Sequence, residues 1–498
     1  MGATLEGLVV RMTLHDAPPD AILSNTFYIT FRLFTTPKKL AETLVARFNI
    51  EPEKGTEDIL KWTRDVATPI KLRVFNVFKG WMESHWRQET DADALDIITV
   101  FAQGDLTRAF PQSGKRLDDL AKKVAKAPGP LVPRQVSSMS KAGPLNAAPS
   151  FVMADSPVPP AIISKSLLSA LKASAVGGSG PSVTDFDPLE IARQFTIKES
   201  KIFCAVLPEE LVGQEFRADK RGSSAVNVKA LSTLSSVMTA WVADSIMDEG
   251  ADAKRRAAVI KHWIKVCQRC LSLYNYSTLY NIFCALESTS VQRLNKTWPL
   301  LSAKYRETMD SLRHLTDVGR NHAVYRAELR QRVPPCLPFM GLYLTDLTFV
   351  DEGNLDTRPM PDAPEGSPPL INFNKHIQTA KIIADVQRFQ IPYRLQEVPE
   401  VQAWIDSQLA RTKQAGSLDS MKLYRRSLAI EPREAPMIAM TDAGSLSSGP
   451  SSRRGSATDD GASSFSPLFM QRERSSGGKL PTVQEEKQQQ WSGSSAKV

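Results

Sequence analysis

Between Arg255 and Tyr274 the apolar side chains keep one helical spacing. Ile260, Trp263, Ile264, Cys267, Cys270, Leu271 and Tyr274 stand at i, i+3, i+4, i+7, i+10, i+11 and i+14. A stripe this broad must be covered, so the segment predicts a helix packed into a larger helical core. The same period recurs over Val228 to Met247, with Leu231, Leu234, Met238, Trp241, Val242 and Ile246. It recurs from about Asn374 to Phe389, with Ile377, Ala380 and Ala384 on one face. There is no train of alternating strands and no glycine-rich phosphate loop. The expected fold class is all-α.

The periodicity is bunched, and so is the loop composition. Residues 1–107 read as a first helical unit. In it, Phe27 to Phe34 forms a dense apolar patch. Thr36-Pro37 is an N-cap and first-turn pair for a helix from Lys38 to Phe48, and a further helix is expected from Leu72 to Trp86. Residues 108–180 are Pro/Ser/Ala-rich and read as a mostly disordered basic linker, with one apolar patch from Ile162 to Leu171 suited to docking. Residues 181–412 read as the main helical unit. Residues 413–498 read as a mostly disordered tail, with a short ordered extension around Leu423 to Glu434.

Charge narrows the function class. The chain has a formal net charge of +8. Residues 108–180 hold ten Lys or Arg against three acids, close to the whole excess. That leaves the folded parts near neutral, which argues against a nucleic-acid-binding fold. No apolar run approaches the roughly 18 residues that span a bilayer. The five scattered cysteines suit a reducing cytosol, and Cys267 and Cys270, despite their CxxC spacing, lie on an apolar stripe and read as buried thiols. The expected location is cytoplasmic, with recruitment to an anionic membrane face through the basic linker as an added expectation.

Enzyme constellations are missing: no GxSxG, HExxH or GxxxxGK[ST] occurs, and no cofactor or metal is expected. Arg453-Arg454-Gly455-Ser456 has the arginine spacing a basophilic kinase reads, which makes Ser456 a phosphorylation candidate beside the plain reading of a polar tail. Composition and periodicity alone describe a helical interaction protein.

Four ordered segments say more. They are Asp187-Pro-Leu-Glu-Ile-Ala-Arg-Gln194 with Leu211-Val-Gly213; Ala285-Leu-Glu-Ser-Thr-Ser-Val-Gln-Arg-Leu294 with Thr297-Trp298; Pro334-Pro-Cys-Leu-Pro-Phe-Met-Gly-Leu-Tyr-Leu-Thr345 with Asp351-Glu-Gly-Asn354; and Leu370-Ile-Asn-Phe-Asn-Lys375. In order and spacing they resemble the catalytic domain of Ras-type guanine-nucleotide exchange factors, the son-of-sevenless family, in a fungal-like member. Asn25 to Phe48 with Arg73 to Trp81 resembles the helical exchanger motif that accompanies that domain.

The resemblance implies a bowl of helices with a protruding helical hairpin that levers one switch of a Ras-like GTPase away from its nucleotide, without covalent chemistry. Ras is the first expected partner, with Rap and Ral as alternatives. The hairpin helices would run from about Met340 to Val350 and from about Asn374 to Phe389. Glu352 would occupy phosphate space and Thr348 would crowd the magnesium site, with Thr345, Asp346 and Asn354 as neighbouring contacts. Phe339, Leu279, His322, Glu287 and Ser236 would grip the GTPase. Glu287 stands where relatives often carry Asn, and Thr233 where some carry Arg, which bears on partner identity.

Overall fold

In the computed structural model, the described residues are 2–126, 157–175, 180–217, 219–248, 250–361, 364 and 367–433. Ser456 lies outside them. The expected all-α class holds, with one small three-stranded antiparallel sheet added. No helix among the described residues is long and apolar enough to cross a membrane.

The first unit begins with capped helices. Thr4, Asp20 and Thr36 accept from the backbone N–H groups of Gly7, Leu23 and Lys39, opening Leu5–Met12, Ala21–Thr30 and Pro37–Phe48. The Thr36-Pro37 signal is therefore where the helix starts. Thr68–Gly80 buries Ile70, Val74, Val77 and Phe78 in the core that also takes Phe27, Phe31, Phe48, Trp81 and Trp86. A buried carboxylate organises this core. Asp91 accepts from Arg32 Nε (2.8 Å), Trp81 Nε1 (2.7 Å), Thr90 Oγ1 (2.8 Å) and the Arg87 N–H (3.1 Å). Its negative charge is therefore fully partnered inside the unit.

Two boundaries need correction. The helix Pro111–Val124 continues the first unit past residue 107 and buries Leu117, Leu120, Ala121 and Val124 in the same core. Its apolar stripe is narrow and set among six charged residues, so composition pointed to a linker. Lys115, Arg116, Lys122 and Lys123 thus belong to a folded helix; Arg116 pairs with Glu83 and Lys122 with Asp118. Much of the basic charge assigned to the linker is helix surface.

At the other end, Pro399–Gln414 runs past residue 412, and Ser420–Ile430 packs back on the main unit. Glu431, 4% exposed, accepts from Thr297 Oγ1 (2.8 Å) and the Lys296 N–H (2.9 Å) and pairs with Arg256 at 3.3 Å. The ordered extension expected there is present. The Ile162–Leu171 patch also docks. The Ile162 N–H donates to buried Glu190 (2.9 Å), and the helix Lys165–Ala175 lies against Pro399–Gln414 with Leu171 buried.

The main unit is built on Pro188–Ala205, Val226–Ile246, Ala253–Ser272, Tyr276–Leu286 and Pro399–Gln414. Their shared core holds Trp241 against Trp263 at 5.3 Å, Trp404 at 5.6 Å and Phe195 at 5.8 Å. Cys267 and Cys270 are wholly buried here, with thiol pKa values pushed up by burial, as the stripe implied.

Candidate functional site

Two helices form a hairpin. The first, Met340–Gly353, opens after Phe339, whose N–H donates to the Tyr325 hydroxyl (2.8 Å), and buries Met340, Leu342, Tyr343, Leu344 and Leu347. The chain returns through strands Thr357–Arg358 and Leu370–Asn372 into the second helix, Phe373–Arg388. In the sheet Thr357 pairs with Ile371 and Arg358 with Leu370, while Gly2 and Ala3 pair with Asn372 and Ile371 on the other edge. The start of the first unit therefore completes the hairpin's sheet.

The same unit also packs on the second hairpin helix. Phe373 is wholly buried in the first unit's core, and Phe34 lies 6.3 Å from Phe373 and 5.0 Å from His376, ring centre to ring centre. Burial, and then Lys375, lower the His376 pKa to about 4, so this ring is neutral at physiological pH. Arg87 adds an ion pair to Glu209 at 3.3 Å.

At the turn, Lys375 holds the two arms together. Its Nζ lies 2.7 Å from Asp351 Oδ1 and 2.6 Å from Asp356 Oδ1, and donates to the Asp351 carbonyl at 3.0 Å. Burial opposes the charge, but Asp351 and Asp356 outweigh it and hold the Lys375 pKa above its ordinary value.

Each residue singled out on the first helix has a definite environment. Glu352 is exposed, and Arg217 Nη1 lies 3.3 Å from its Oε1. Thr345 and Thr348 are half-buried, and their hydroxyls donate back to the Gly341 (2.9 Å) and Leu344 (2.8 Å) carbonyls. Asp346 accepts a two-pronged bond from Arg326, at 2.8 and 2.7 Å. Asn354 Nδ2 donates to the Val350 carbonyl (2.9 Å) and so closes the helix.

A second cluster surrounds Phe339. Its ring stacks on Tyr280 at 4.4 Å with the planes 4° apart, and Tyr280 also meets Tyr325 edge-on at 5.3 Å. His322 lies 6.4 Å from Tyr280, in a run where Arg320, Asn321 and His322 all have φ near +50°. Burial, and then Arg326, lower the His322 pKa. Leu279 corrects an expectation: it is 0% exposed, so its side chain is core rather than contact surface. The helix that carries it, Tyr276–Leu286, is buried at ten of its eleven positions. Elsewhere, Glu287 accepts from Arg313 Nη2 at 2.8 Å and Nε at 3.1 Å. Ser236 and Thr233 donate to the carbonyls of Ser232 and Lys229 in their own helix.

Beneath Tyr276–Leu286 lies a carboxylate that motif reading did not single out. Glu199 is fully buried and accepts from Ser277 Oγ (3.1 Å), Asn281 Nδ2 (3.1 Å) and Thr278 Oγ1. Burial raises its pKa to about 7, against the lowering pull of those hydrogen bonds.

This arrangement can be set beside known proteins. The RasGEF domain family matches residues 190–377, which take in both hairpin helices up to Ile377, and the RasGEF N-terminal motif matches residues 1–101. Together these spans exceed half of the chain.

The chain belongs to the RasGEF family.

Similar proteins include Ras guanine nucleotide exchange factor A of Dictyostelium discoideum, 32% identical over 87% of this chain and 65% of the relative. Cell division control protein 25 of Saccharomyces cerevisiae is 28% identical over 90% of this chain and 27% of its own length. Protein son of sevenless of Drosophila melanogaster is 29% identical over 87% of this chain and 27% of its own. The chain thus spans between about a quarter and two thirds of the length of these relatives.

Within this RasGEF domain the structure adds two surface residues to the motif positions. Phe349 is 63% exposed and Leu355 79% exposed, three residues before and three after Glu352. Leu342, seven residues before Phe349 on the same face, is buried, so the helical period alone does not assign Phe349 to the outside; its position near the helix end does.

Proposed function

We propose that this chain accelerates release of guanine nucleotide from a Ras-like small GTPase, with the hairpin as the inserting element and Glu352 as the group that competes for phosphate-binding donors. One observation carries the reading: an exposed carboxylate at the end of a braced helix, flanked by exposed Phe349 and Leu355. Apolar side chains on either side supply burial against a partner, while the carboxylate repels a phosphate and attracts the donors that held it. The factor then works by preferring the nucleotide-free GTPase, and each tenfold in release rate requires about 1.4 kcal/mol of that preference.

In the same reading residues up to 124 form a brace for the hairpin, and residues 181–433 form the exchange unit. Phe339 on Tyr280, with His322 beside them, is the aromatic grip. Ras is the preferred partner, with Rap and Ral as the alternatives that a panel must separate. The motif names of the relatives support exchange on Ras. Membrane recruitment has weaker support, since Arg116 and Lys122 are already ion-paired on a folded helix.

The test is release of fluorescently labelled GDP from Ras, Rap and Ral with the full chain. Acceleration with at least one is expected. Tight binding with unchanged release across the panel would replace exchange with a scaffolding role.

A further inference from the structure

Glu352 is not free in the unbound protein. Gln214 and Arg217, which precede the helix Val226–Ile246, reach the end of the first hairpin helix. Gly213 and Gln214 both have positive φ, +61° and +56°, a conformation that non-glycine residues rarely adopt. That turn brings Gln214 Nε2 onto Asp351 Oδ2. Arg217 Nη1 then donates to Gln214 Oε1 at 2.7 Å and to Glu352 Oε1 at 3.3 Å. The rest of the guanidinium is held by Asp219, through Nε at 3.2 Å and Nη2 at 3.4 Å. Lys220 ties the turn down by donating to the Gly213 carbonyl at 3.0 Å and pairing with Glu215 at 2.5 Å.

Two adjacent carboxylates thus have different fates. Asp351 is fixed between Lys375 and Gln214. Among the described residues Glu352 has one cationic partner, through a single contact, and both side chains are solvent-accessible, at 43% for Arg217 and 59% for Glu352. Arg217 keeps Gln214 and Asp219 when Glu352 leaves, so the contact can open without stranding the guanidinium. To enter a GTPase the carboxylate must leave Arg217.

We propose that Arg217 is a positioning residue that parks the Glu352 carboxylate in the free protein and opposes its entry into the GTPase. The inference rests on Glu352 being the inserting group. Because the pair is exposed, its effect is small, roughly fivefold at most.

The test uses the full chain with a Ras-like GTPase loaded with labelled GDP. Release is measured for wild type, R217Q, R217M, R217K, E352Q and R217Q/E352Q. At low salt R217Q and R217M are expected to raise kcat/KM roughly two- to fivefold, and R217K to stay near wild type. The gain should disappear near 1 M salt, where the screening length falls to about 3 Å. It should also be absent when E352Q is already present. No gain from R217Q and R217M, or slower release, overturns the proposal. An equal gain in the E352Q background overturns it too, because the effect would not run through Glu352. If E352Q alone releases as fast as wild type, the role of Glu352 fails and the parking contact with it. If E352Q is slow while R217Q and R217M change nothing, only the parking contact fails. Arg217 is exposed, so equal melting temperatures for the two variants and wild type are expected and serve as the folding check.

Discussion

The ammonium of Lys375, on the second hairpin helix, sits 2.7 Å from the carboxylate of Asp351 on the first. Lys375 is 5% exposed, so this pair, buried on its lysine side, is the clasp of a hairpin whose outer end carries Glu352. Replacing Lys375 with Met leaves Asp351 and Asp356 without their cation. Loss of one partner from a buried pair costs about 3–5 kcal/mol. Asp356 is 81% exposed and Asp351 35%, so about 1–3 kcal/mol is expected here. Thermal unfolding should fall by several degrees and nucleotide release should slow. Unchanged melting would show that the clasp contributes nothing.

Glu352→Ala separates chemistry from grip. The apolar flanks Phe349 and Leu355 remain, and so does the Phe339–Tyr280 stack. Release should slow about tenfold or more, equivalent to about 1.4 kcal/mol or more at the barrier. Affinity for the nucleotide-free GTPase should fall less, within about threefold. Equal losses in rate and affinity would make Glu352 an ordinary contact.

Glu199 gives the fold a pH signature. Its folded pKa of about 7 lies above the unfolded carboxyl value near 4.3. Between these values the folded protein binds more protons than the unfolded chain, so stability falls as pH rises through the window and levels off above about 7. Glu199→Gln stays neutral throughout. Melting temperatures of wild type and E199Q should lie closest near pH 4, draw apart as pH rises to about 7, and keep a constant gap above it, with the variant shifted upward relative to wild type. Parallel curves from pH 5 to 8 would rule out a titrating Glu199.

Much of this was legible in the sequence because helical period and motif order are local properties. The helix over Ala253–Ser272, the Thr36-Pro37 start and the second hairpin helix follow from spacing and capping, whereas the first hairpin helix was expected only from the family resemblance. Pro111–Val124 was obscured because a narrow Leu117–Leu120–Val124 stripe is enough when a ready core awaits it, and charge counting cannot see that core. Leu279 shows the converse: a motif match gives a position in the family, while burial is decided by which helices surround it. Arg217 beside Glu352 is separated in sequence by 135 residues, and the pairing of Gly2–Ala3 with Ile371–Asn372 by far more. No local pattern encodes such meetings.

That long-range brace supplies the sharpest test of how the two units cooperate. Phe34 touches the second hairpin helix through Phe373 and His376, whereas Phe48 packs inside the first unit on Phe101 at 4.9 Å. Both are aromatic residues of one core, and truncating a buried Phe to Ala costs about 3–5 kcal/mol, less for the half-buried Phe34. If the first unit positions the hairpin, Phe34→Ala should slow nucleotide release well below its melting temperature, by about threefold or more. Phe48→Ala should lower the melting temperature at least as much yet leave release within about twofold at the same low temperature. Rates that track melting temperature in both variants would mean that general stability, and not contact with Phe373 and His376, links the first unit to exchange.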